Sequence, residues 1–520
     1  MFGVATFLSS WVILVFTAPG IPIVWDEGEY LYRASRIIEW FRLGPGGLSS
    51  EAIRSHWMFI SQAEGHPAGF VLPIALGQWL ASSVVDPLMA ARLGPITLFS
   101  VACSAIAVRL KEDYGTAAAV AAPVTLLTFP RIFAEAHFAT QDGQLTAWWL
   151  VLWALQSSVS RGAGITVMVG AVLGLTTATK FTGWLAWAPT MVSEAVRKKS
   201  AARRLLIILP VALFTFYLVN PNLWHEPYYA LRDHFHRSLH RAYSLDIPIR
   251  FLGRTYSIEN PLPWHNTLTW LLLVTPPATL VLGIVGVIRC ATTPTAASLT
   301  VMAHWLTLMV ARALPGTPPH DGIRLFLPAF GFWCVLAGIG AQTLVRTIGS
   351  IRLVFWRAAF RAALVVALLT SAVDVVRYYP QLLSHYSVQA GGLAGAVRMG
   401  MEPAYWWDAL DTDVLNWLNE HTGPGESVAF SAVGNLKELR DWHRLHPNTV
   451  VEQTGAVFKW YVLQNRPGLL IPVDLALMSE EQPVYVKYAG RRREGAPVPA
   501  DLDVPLILVF SYEQYQRARR

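Results

Sequence analysis

Long apolar segments recur along most of this chain, and they constrain its fold more than any other feature. A segment of about 17–25 predominantly apolar residues can cross the hydrocarbon core of a bilayer. Eleven segments of this kind, several of them short, lie near residues 1–19, 92–109, 116–133, 143–158, 163–179, 181–196, 203–219, 267–289, 296–313, 323–344 and 355–373. The sequence therefore predicts an all-α polytopic membrane protein and excludes a water-soluble, fibrous or disordered chain.

The composition supports the same conclusion. Apolar residues make up 53% of the chain and charged residues 14%, against about 25% charged residues in an average soluble protein. The three cysteines, Cys103, Cys290 and Cys334, fall in or beside apolar segments, which argues against a disulfide framework and a cysteine-based metal site. The net charge of +7 is spread over short loops, so it indicates topology and gives no reason to expect a nucleic-acid partner.

Basic clusters predict which loops face the cytoplasm. The two strongest clusters are Arg197, Lys198, Lys199, Arg203 and Arg204, and then Arg346, Arg352, Arg357 and Arg361. Counting spans outward from them places four loops on the extracytoplasmic face, at 20–91, 134–142, 220–266 and 314–322. If the apolar segment 67–82 crosses the membrane, residues 26–66 lie on the opposite face from residues 135–142 unless the N-terminus is reversed. We therefore interpret this segment as an interfacial or re-entrant helix, which leaves eleven spans and a cytoplasmic N-terminus.

The chain changes character after the last apolar segment. The stretch DTDVLNWLNEHTG has helical periodicity and ends at a glycine. Short apolar or alternating runs follow, namely SVAFSAV, TVVEQTG, PVYVKYA and VPLILVF, with Pro, Gly and charges between them. We predict a transmembrane domain at 1–377 and a small soluble α/β domain at 378–520, on the extracytoplasmic side.

Acidic residues stand directly beside predicted spans in the first two outer loops. Asp26 and Glu27 follow the first span, and Glu135, His137 and Asp142 lie between two later spans. The simplest interpretation is capping, because acids are favoured in the first turn of a helix. The alternative is functional, because ionisable groups near hydrocarbon are costly and commonly mark active sites. Asp26 and Asp142 could then bind a divalent cation, or one could act as a base that the other orients.

Basic residues at predicted span ends offer a second kind of site. Lys180 lies between two apolar segments, where it either extends to the membrane surface or binds a phosphate. His320, Asp321 and Arg324 precede a span on the same outer face, and Arg324 is placed to meet an anionic head group. In the His-rich loop, His236 and His240 lack the Glu of a zinc motif, so an amphipathic surface helix is favoured there.

Taken in order, these segments resemble the C-type glycosyltransferases. They are most similar to bacterial relatives of the dolichyl-phosphate-mannose–protein mannosyltransferases and of the lipid A aminoarabinose transferases. The matching motifs are WDEGEY, GHPAG, AARLGPITLFS, EAHFATQDGQL, GLTTATKFTGW, HDGIRLFLP and the stretch from YYPQLLSHYS to AYWWDALD. The likeness covers roughly residues 20–420, and the ordered set is far more specific than any single motif.

This resemblance implies a C-type glycosyltransferase fold and an inverting transfer of a sugar from a polyprenyl-phosphate donor to an acceptor hydroxyl. Asp26, Glu27 and Asp142 would be catalytic. The residues expected to bind substrate are His66, Glu135, His137, Lys180, His320, Asp321 and Arg324. A divalent cation at Asp26 and Asp142 is the one cofactor left open, and membrane lipids are partners. The resemblance also implies a bacterial plasma membrane location with the site facing outward.

Departures from the family leave the acceptor open. The chain lacks the β-trefoil domain that several eukaryotic mannosyltransferases insert in a luminal loop, and its tail is a different small domain, so protein, lipid and glycan acceptors all remain. Two other functions compete with this one. A flippase for lipid-linked sugars predicts paired broken helices in an internal repeat, which the sequence lacks. A non-catalytic assembly protein gives the acids of the two outer loops no role.

Overall fold

The computed structural model describes residues 1–58, 66–157, 162–196, 201–244, 246–423, 425–431, 439, 444–445, 450–452, 457–491 and 497–520. Arg197, Lys198 and Lys199 of the predicted cytoplasmic cluster lie outside these residues. So do residues 59–65 of the first predicted outer loop, and parts of the runs SVAFSAV and TVVEQTG.

Helices dominate the chain up to residue 378. In order they are α1 Phe2–Thr17, α2 Glu27–Arg42, α3 Ser50–Ile53, α4 Val71–Ala81, α5 Pro87–Asp113, α6 Thr116–Leu127, α7 Pro130–Glu135, α8 Gln141–Gln156, α9 Ala163–Thr179, α10 Trp187–Val196, α11 Ala201–Leu218, α12 Pro227–Ser244, α13 Asn266–Val274, α14 Pro277–Thr292, α15 Ala296–Ala313, α16 Leu327–Gly349 and α17 Val354–Tyr378. Within the described part of the chain, each of the eleven predicted apolar segments contains a helix or a pair of helices.

Six of these helical segments are long and apolar enough to cross a membrane: Phe2–Gly20, Pro87–Asp113, Ala201–Leu218, Ala296–Ala313, Arg324–Gly349 and Val354–Tyr378. Shorter apolar helices accompany them, among them α6, α9 and α14. The predicted class, an all-α polytopic membrane protein, is confirmed, while the count of eleven spans stays a prediction. The segment 67–82 contains α4, whose 11 residues reach about 16 Å at 1.5 Å per residue, roughly half the hydrocarbon thickness.

Close helix packing fixes the outer ends of the spans. At the contact of α4 with α5, a Cβ on Gly94 would lie 1.8 Å from the carbonyl oxygen of Pro73, so only glycine lets the two backbones approach so closely. The long helix α16 is the most enclosed of the six, and its first fifteen residues are all buried. The predicted outer loops are therefore connected to closely packed helices. A site that must hold its geometry needs such rigid support.

The chain after Tyr378 folds into short helices and a mixed sheet. The helices are α18 Gly392–Arg398, α19 Thr412–His421, α20 Pro472–Glu480 and α21 Tyr512–Ala518. Besides a small hairpin of β1 Ile249–Phe251 and β2 Arg254–Tyr256, the strands are β3 Ser427–Phe430, β4 Val450–Glu452, β5 Trp460–Gln464, β6 Tyr485–Lys487 and β7 Ile507–Ser511. Their order in the sheet is β4-β3-β5-β7-β6. The predicted small α/β tail is confirmed, and its exact boundary stays a prediction.

Candidate active site

Four of the predicted site residues meet at helix ends, on the face that is predicted to be extracytoplasmic. Asp142 binds both cations, with Lys180 Nζ 2.5 Å from Oδ1 and Arg324 Nε 2.9 Å from Oδ2. Arg324 also donates through Nη2 to Asp26 Oδ2 at 3.1 Å. Asp26 and Asp142, 116 residues apart in the chain, therefore share one guanidinium. We call Asp26, Asp142, Lys180 and Arg324 the charge cluster.

Local structure explains how Asp142 reaches the cluster. It lies in the first turn of α8, but Thr140 occupies the capping position and the Asp142 carboxylate faces Lys180 and Arg324. Its neighbour Gly143 has no room for a side chain, because a Cβ there would lie 2.1 Å from the carbonyl oxygen of Glu135. The start of α8 is therefore pressed against the preceding loop. The capping interpretation of Asp142 does not describe this geometry.

Asp26 differs from Asp142 in its access to solvent. It stands at the start of α2 and makes no side-chain capping bond there. Its side chain is 22% exposed, whereas that of Asp142 is 3% exposed. Asp142 is held by two cations inside the protein, while the side chain of Asp26 is partly exposed. Of the two acids, Asp26 is therefore the more accessible to solvent.

Arg324 connects several residues of the site. Besides the two acids of the cluster it binds Asp321, with Nη1 2.7 Å from Oδ2, and its guanidinium lies 3.7 Å from the ring centroid of Trp406. Such stacking orients a guanidinium and favours Arg over Lys. Asp321 and Trp406 both have positive backbone φ values, 58° and 56°. Left-handed backbone at such residues is commonly found at functional sites, where surrounding contacts hold it in place.

A cavity of about 300 Å³ opens beside the charge cluster. Four predicted substrate-binding residues, His66, Lys180, His320 and Arg324, line it, and Arg312 adds a third cation. The apolar part of the lining includes the four leucines Leu185, Leu239, Leu308 and Leu325. A cavity lined by both cations and apolar side chains matches an anionic head group with a hydrocarbon tail.

Two of the predicted histidines, His320 and His137, are deeply buried. Burial lowers the pKa of His320 to about 3, so it can exchange hydrogen bonds with a ligand but adds no positive charge. Burial also lowers the pKa of His137 to about 3. His137 lies outside the cavity, where its Nε2 is 2.8 Å from the Thr17 hydroxyl and its Nδ1 is 2.6 Å from the carbonyl oxygen of Phe133. The structure therefore does not bring His137 together with the other predicted substrate-binding residues.

Two predicted acids occupy very different surroundings. Glu135 lines a small void of about 10 Å³, large enough for one water, together with Arg131 and Arg324. Burial, reinforced by the nearby Asp142 charge, raises the pKa of Glu135 well above its usual range. Asp321 is also buried, which by itself would raise its pKa. The guanidinium groups of Arg466 and Arg324 outweigh burial and hold the pKa of Asp321 well below its usual range.

Glu27 is held in a separate buried ion pair. Its two oxygens accept from Arg92, at 2.8 Å from Nε and 2.6 Å from Nη2. They also accept from the backbone N–H groups of Val24, at 3.1 Å, and Ala139, at 2.8 Å. The side chain is fully buried. The contact with Ala139 ties the first outer loop to the second, so Glu27 supports the loops that carry Asp26 and Asp142.

The two acids do not form a ready metal site as placed. A guanidinium already lies between Asp26 and Asp142, and a divalent cation would have to displace it. Among the described residues, no group of three or more His, Cys, Asp or Glu side chains is arranged to hold a metal ion.

Residues from the tail complete the site, and sequence reasoning missed their roles. Trp406 stacks on Arg324, and Arg466 donates to Asp321 at 2.9 Å. Trp406 falls in the AYWWDALD stretch that carried part of the family resemblance, so a signal existed for it. Arg466 stands in QNRPG, and nothing in that pattern distinguishes it from an ordinary loop arginine.

Comparison with solved structures gives the fold its class. The structure of ArnT from Cupriavidus metallidurans bound to undecaprenyl phosphate matches with a TM-score of 0.50 at 14% identity, covering 98% of each chain. The apo structure of the same protein matches at 0.49, with 97% of each chain covered. The archaeal oligosaccharyltransferase AglB from Archaeoglobus fulgidus matches at 0.46 and 11% identity, over 98% of this chain and 76% of its own. No family model and no curated protein matches the sequence.

The chain therefore has the C-type glycosyltransferase fold, which is the fold predicted from the sequence motifs. The full-length match to ArnT includes the tail. At 14% identity the likeness establishes the fold alone.

Proposed function

We propose that the protein is an integral membrane glycosyltransferase that moves a sugar from a polyprenyl-phosphate donor to an acceptor hydroxyl. The observation that carries this proposal is the cavity beside the charge cluster. Its lining includes Lys180, Arg324 and four leucines, and Arg324 pairs with the partly exposed carboxylate of Asp26. The ArnT structure with the same fold is bound to undecaprenyl phosphate, a ligand with the chemistry that such a cavity fits.

The proposed reaction is a single displacement. The donor phosphate lies between Lys180 and Arg324, and the polyprenyl chain lies along the apolar side chains that line the cavity. The acceptor oxygen attacks the anomeric carbon while its proton passes to the Asp26 carboxylate. The bond between that carbon and the phosphate oxygen breaks, and the phosphate leaves with the electron pair. Lys180 and Arg324 stabilise the charge that grows on it, and the configuration at the anomeric carbon is inverted.

The location and the substrate range follow from the same proposal. We propose that the site, at the ends of the spans that are predicted to face outward, lies on the extracytoplasmic face of a bacterial plasma membrane. Hexosyl and pentosyl phosphates both fit the chemistry of the cavity, and protein, lipid and glycan acceptors all present the required hydroxyl.

Transfer by the purified protein tests this function directly. The protein in nanodiscs is incubated with radiolabelled polyprenyl-phosphate hexoses and pentoses and a panel of hydroxyl acceptors. Release of polyprenyl phosphate together with labelled product supports the proposal. In vesicles, movement of the intact donor between leaflets without cleavage would support a flippase and overturn it. Neither cleavage nor movement with any donor would favour a non-catalytic role.

Replacing Lys180 is expected to weaken donor binding selectively. Lys180→Gln removes one charged hydrogen-bond donor from the cavity, and such a bond is worth about 1.5–3 kcal/mol, so the Kd for undecaprenyl phosphate should rise about 10- to 100-fold. Binding is measured on purified protein in nanodiscs. The matched control is Lys459→Gln, because Lys459 also pairs with a carboxylate, Glu426 at 2.6 Å, but lies in the tail, where both side chains are more than a third exposed. An unchanged Kd for Lys180→Gln would remove Lys180 from the donor site.

A further inference from the structure

Arg466 brings a charge from the tail into the site. Its Nη2 lies 2.9 Å from Asp321 Oδ1, while the other oxygen of Asp321 accepts from Arg324. The side chains of Arg466 and Asp321 are both only 6% exposed. One carboxylate is thus shared by two guanidinium groups, one from the tail and one from the charge cluster.

The backbone around Arg466 is rigidly held. Arg466 follows β5, the central strand of the sheet. The preceding residue, Asn465, donates its backbone N–H to Leu506 at 2.9 Å and its side-chain amide to Pro505 at 2.8 Å. Gly468 lies so close to Glu402 that a Cβ would stand 2.4 Å from its Oε1. A loop held by hydrogen bonds before Arg466 and by close packing after it can keep a guanidinium in one position.

Glu402 supports Arg466 from the opposite side. It is fully buried, and its Oε1 accepts from the backbone N–H groups of Arg250, at 3.1 Å, and Gly468, at 2.9 Å. Its Oε2 lies 3.4 Å from Arg466 Nε. These distances place Arg466 between Glu402 and Asp321, and its direct polar contact within the site is Asp321. Burial raises the pKa of Glu402 to about 7.

We propose that Arg466 is a positioning residue that fixes Arg324 through Asp321. The inference rests on the proposed function and assigns the tail a part in it. With Arg466 present, Asp321 is held by two cations, and Arg324 can share its other two nitrogens between Asp26 and Asp142. Without Arg466, Asp321 has one strong partner left and draws Arg324 toward itself. The guanidinium then leaves the position from which it stabilises the departing phosphate.

Removing Arg466 is expected to lower kcat. Misplacing a catalytic group by about 1 Å can cost about 100-fold in rate. Arg466→Met should therefore lower kcat about 10- to 100-fold, with a much smaller change in KM for the donor. If Arg466 acts through Asp321, its removal should matter little once Asp321 is already changed. In an Asp321→Asn background, Arg466→Met should cost less than about twofold, because effects on one shared contact are not additive.

A second ion pair between the tail and the last span gives the matched control. Arg377 Nη2 lies 2.7 Å from Asp501 Oδ2, and both side chains are more than a third exposed. Arg377→Met removes a different link between the tail and the predicted transmembrane domain without touching the charge cluster, so its kcat should stay within about twofold of that of the unmodified protein. A comparable loss in both variants would mean that any loosening of the tail lowers activity, which would overturn the proposal.

An experimental structure of the Arg466→Met protein tests the inference without an activity assay. We expect the Arg324 guanidinium to shift by about 1 Å or more relative to Asp26 and Asp142. An unchanged Arg324 would overturn the proposal even if kcat falls, and additive losses in the Asp321→Asn background would do the same. If the unmodified protein transfers no sugar, the proposed function fails, and the position of Arg324 in the variant still decides the role of Arg466.

Discussion

Replacing Asp26 by Asn is expected to reduce kcat about 100- to 10,000-fold, the usual contribution of a general base. The substitution keeps the size and shape of the side chain but removes the group that accepts the acceptor's proton. Asp26 is the partly exposed acid of the charge cluster, whereas Asp142 is enclosed by Lys180 and Arg324. Because the donor phosphate binds Lys180 and Arg324, the Kd for the donor should change by less than about threefold in the Asp26→Asn protein. Both quantities are measured on the purified protein in nanodiscs.

Glu29 offers a control on the same helix. It is also an acid in the first turn of α2, but it is 42% exposed and pairs with Arg33 at 3.0 Å, outside the charge cluster. Glu29→Gln should leave kcat within about twofold. If Asp26→Asn turns over like the unmodified chain, Asp26 is not the base and attention moves to Asp142. If both variants lose activity equally, the start of α2 matters for its structure and the assignment of a base loses its support.

Much of the fold could be predicted from the sequence because the bilayer restricts the choices. Apolar length alone located the helices of this part of the chain, since backbone crossing hydrocarbon must satisfy its own hydrogen bonds. The short helix α4 shows the limit of this reasoning. Its composition is apolar enough for a span, and only the close contact at Gly94 and Pro73 shows how an 11-residue helix packs beside α5.

The site could be predicted as a set of residues, but its geometry could not. Charged residues near hydrocarbon are costly, so Asp26, Asp142, Lys180 and Arg324 stood out individually. Which acid meets which cation depends on contacts across the fold, and no spacing in the chain encodes them. Arg466 shows this most clearly. It reaches Asp321 from 145 residues away, through a sheet whose strand order the sequence does not reveal.

Glu27 shows how neighbouring residues can divide their roles. Sequence reasoning grouped it with Asp26 because the two acids are adjacent. Adjacent residues at a helix start point in different directions, however, since each residue turns about 100° from the last. Asp26 faces Arg324 at the edge of the site, whereas Glu27 faces inward to Arg92. We infer that Glu27 stabilises the loops and does not touch substrate.

The stability of the protein is expected to depend strongly on this buried ion pair. Glu27→Gln leaves the Arg92 guanidinium buried without its countercharge, and breaking one partner of a buried pair costs about 3–5 kcal/mol. The apparent Tm in detergent should fall clearly. A surface pair provides the comparison: Asp233 and Arg237 are 47% and 43% exposed, so Asp233→Asn should cost less than about 1 kcal/mol.

The double variant Glu27→Gln with Arg92→Met then separates a structural role of Glu27 from a catalytic one. Replacing both members of a buried pair by uncharged groups of similar size is often close to neutral. Arg92→Met also removes the donors to the backbone carbonyls of Ala18, Ile21 and Pro22, so part of the lost Tm should return. If Glu27 only holds the loops, transfer activity should return with the stability, because Asp26 and Asp142 regain their positions. Recovery of Tm without recovery of kcat would show that the Glu27 carboxylate takes part in the reaction and would overturn the structural role inferred above.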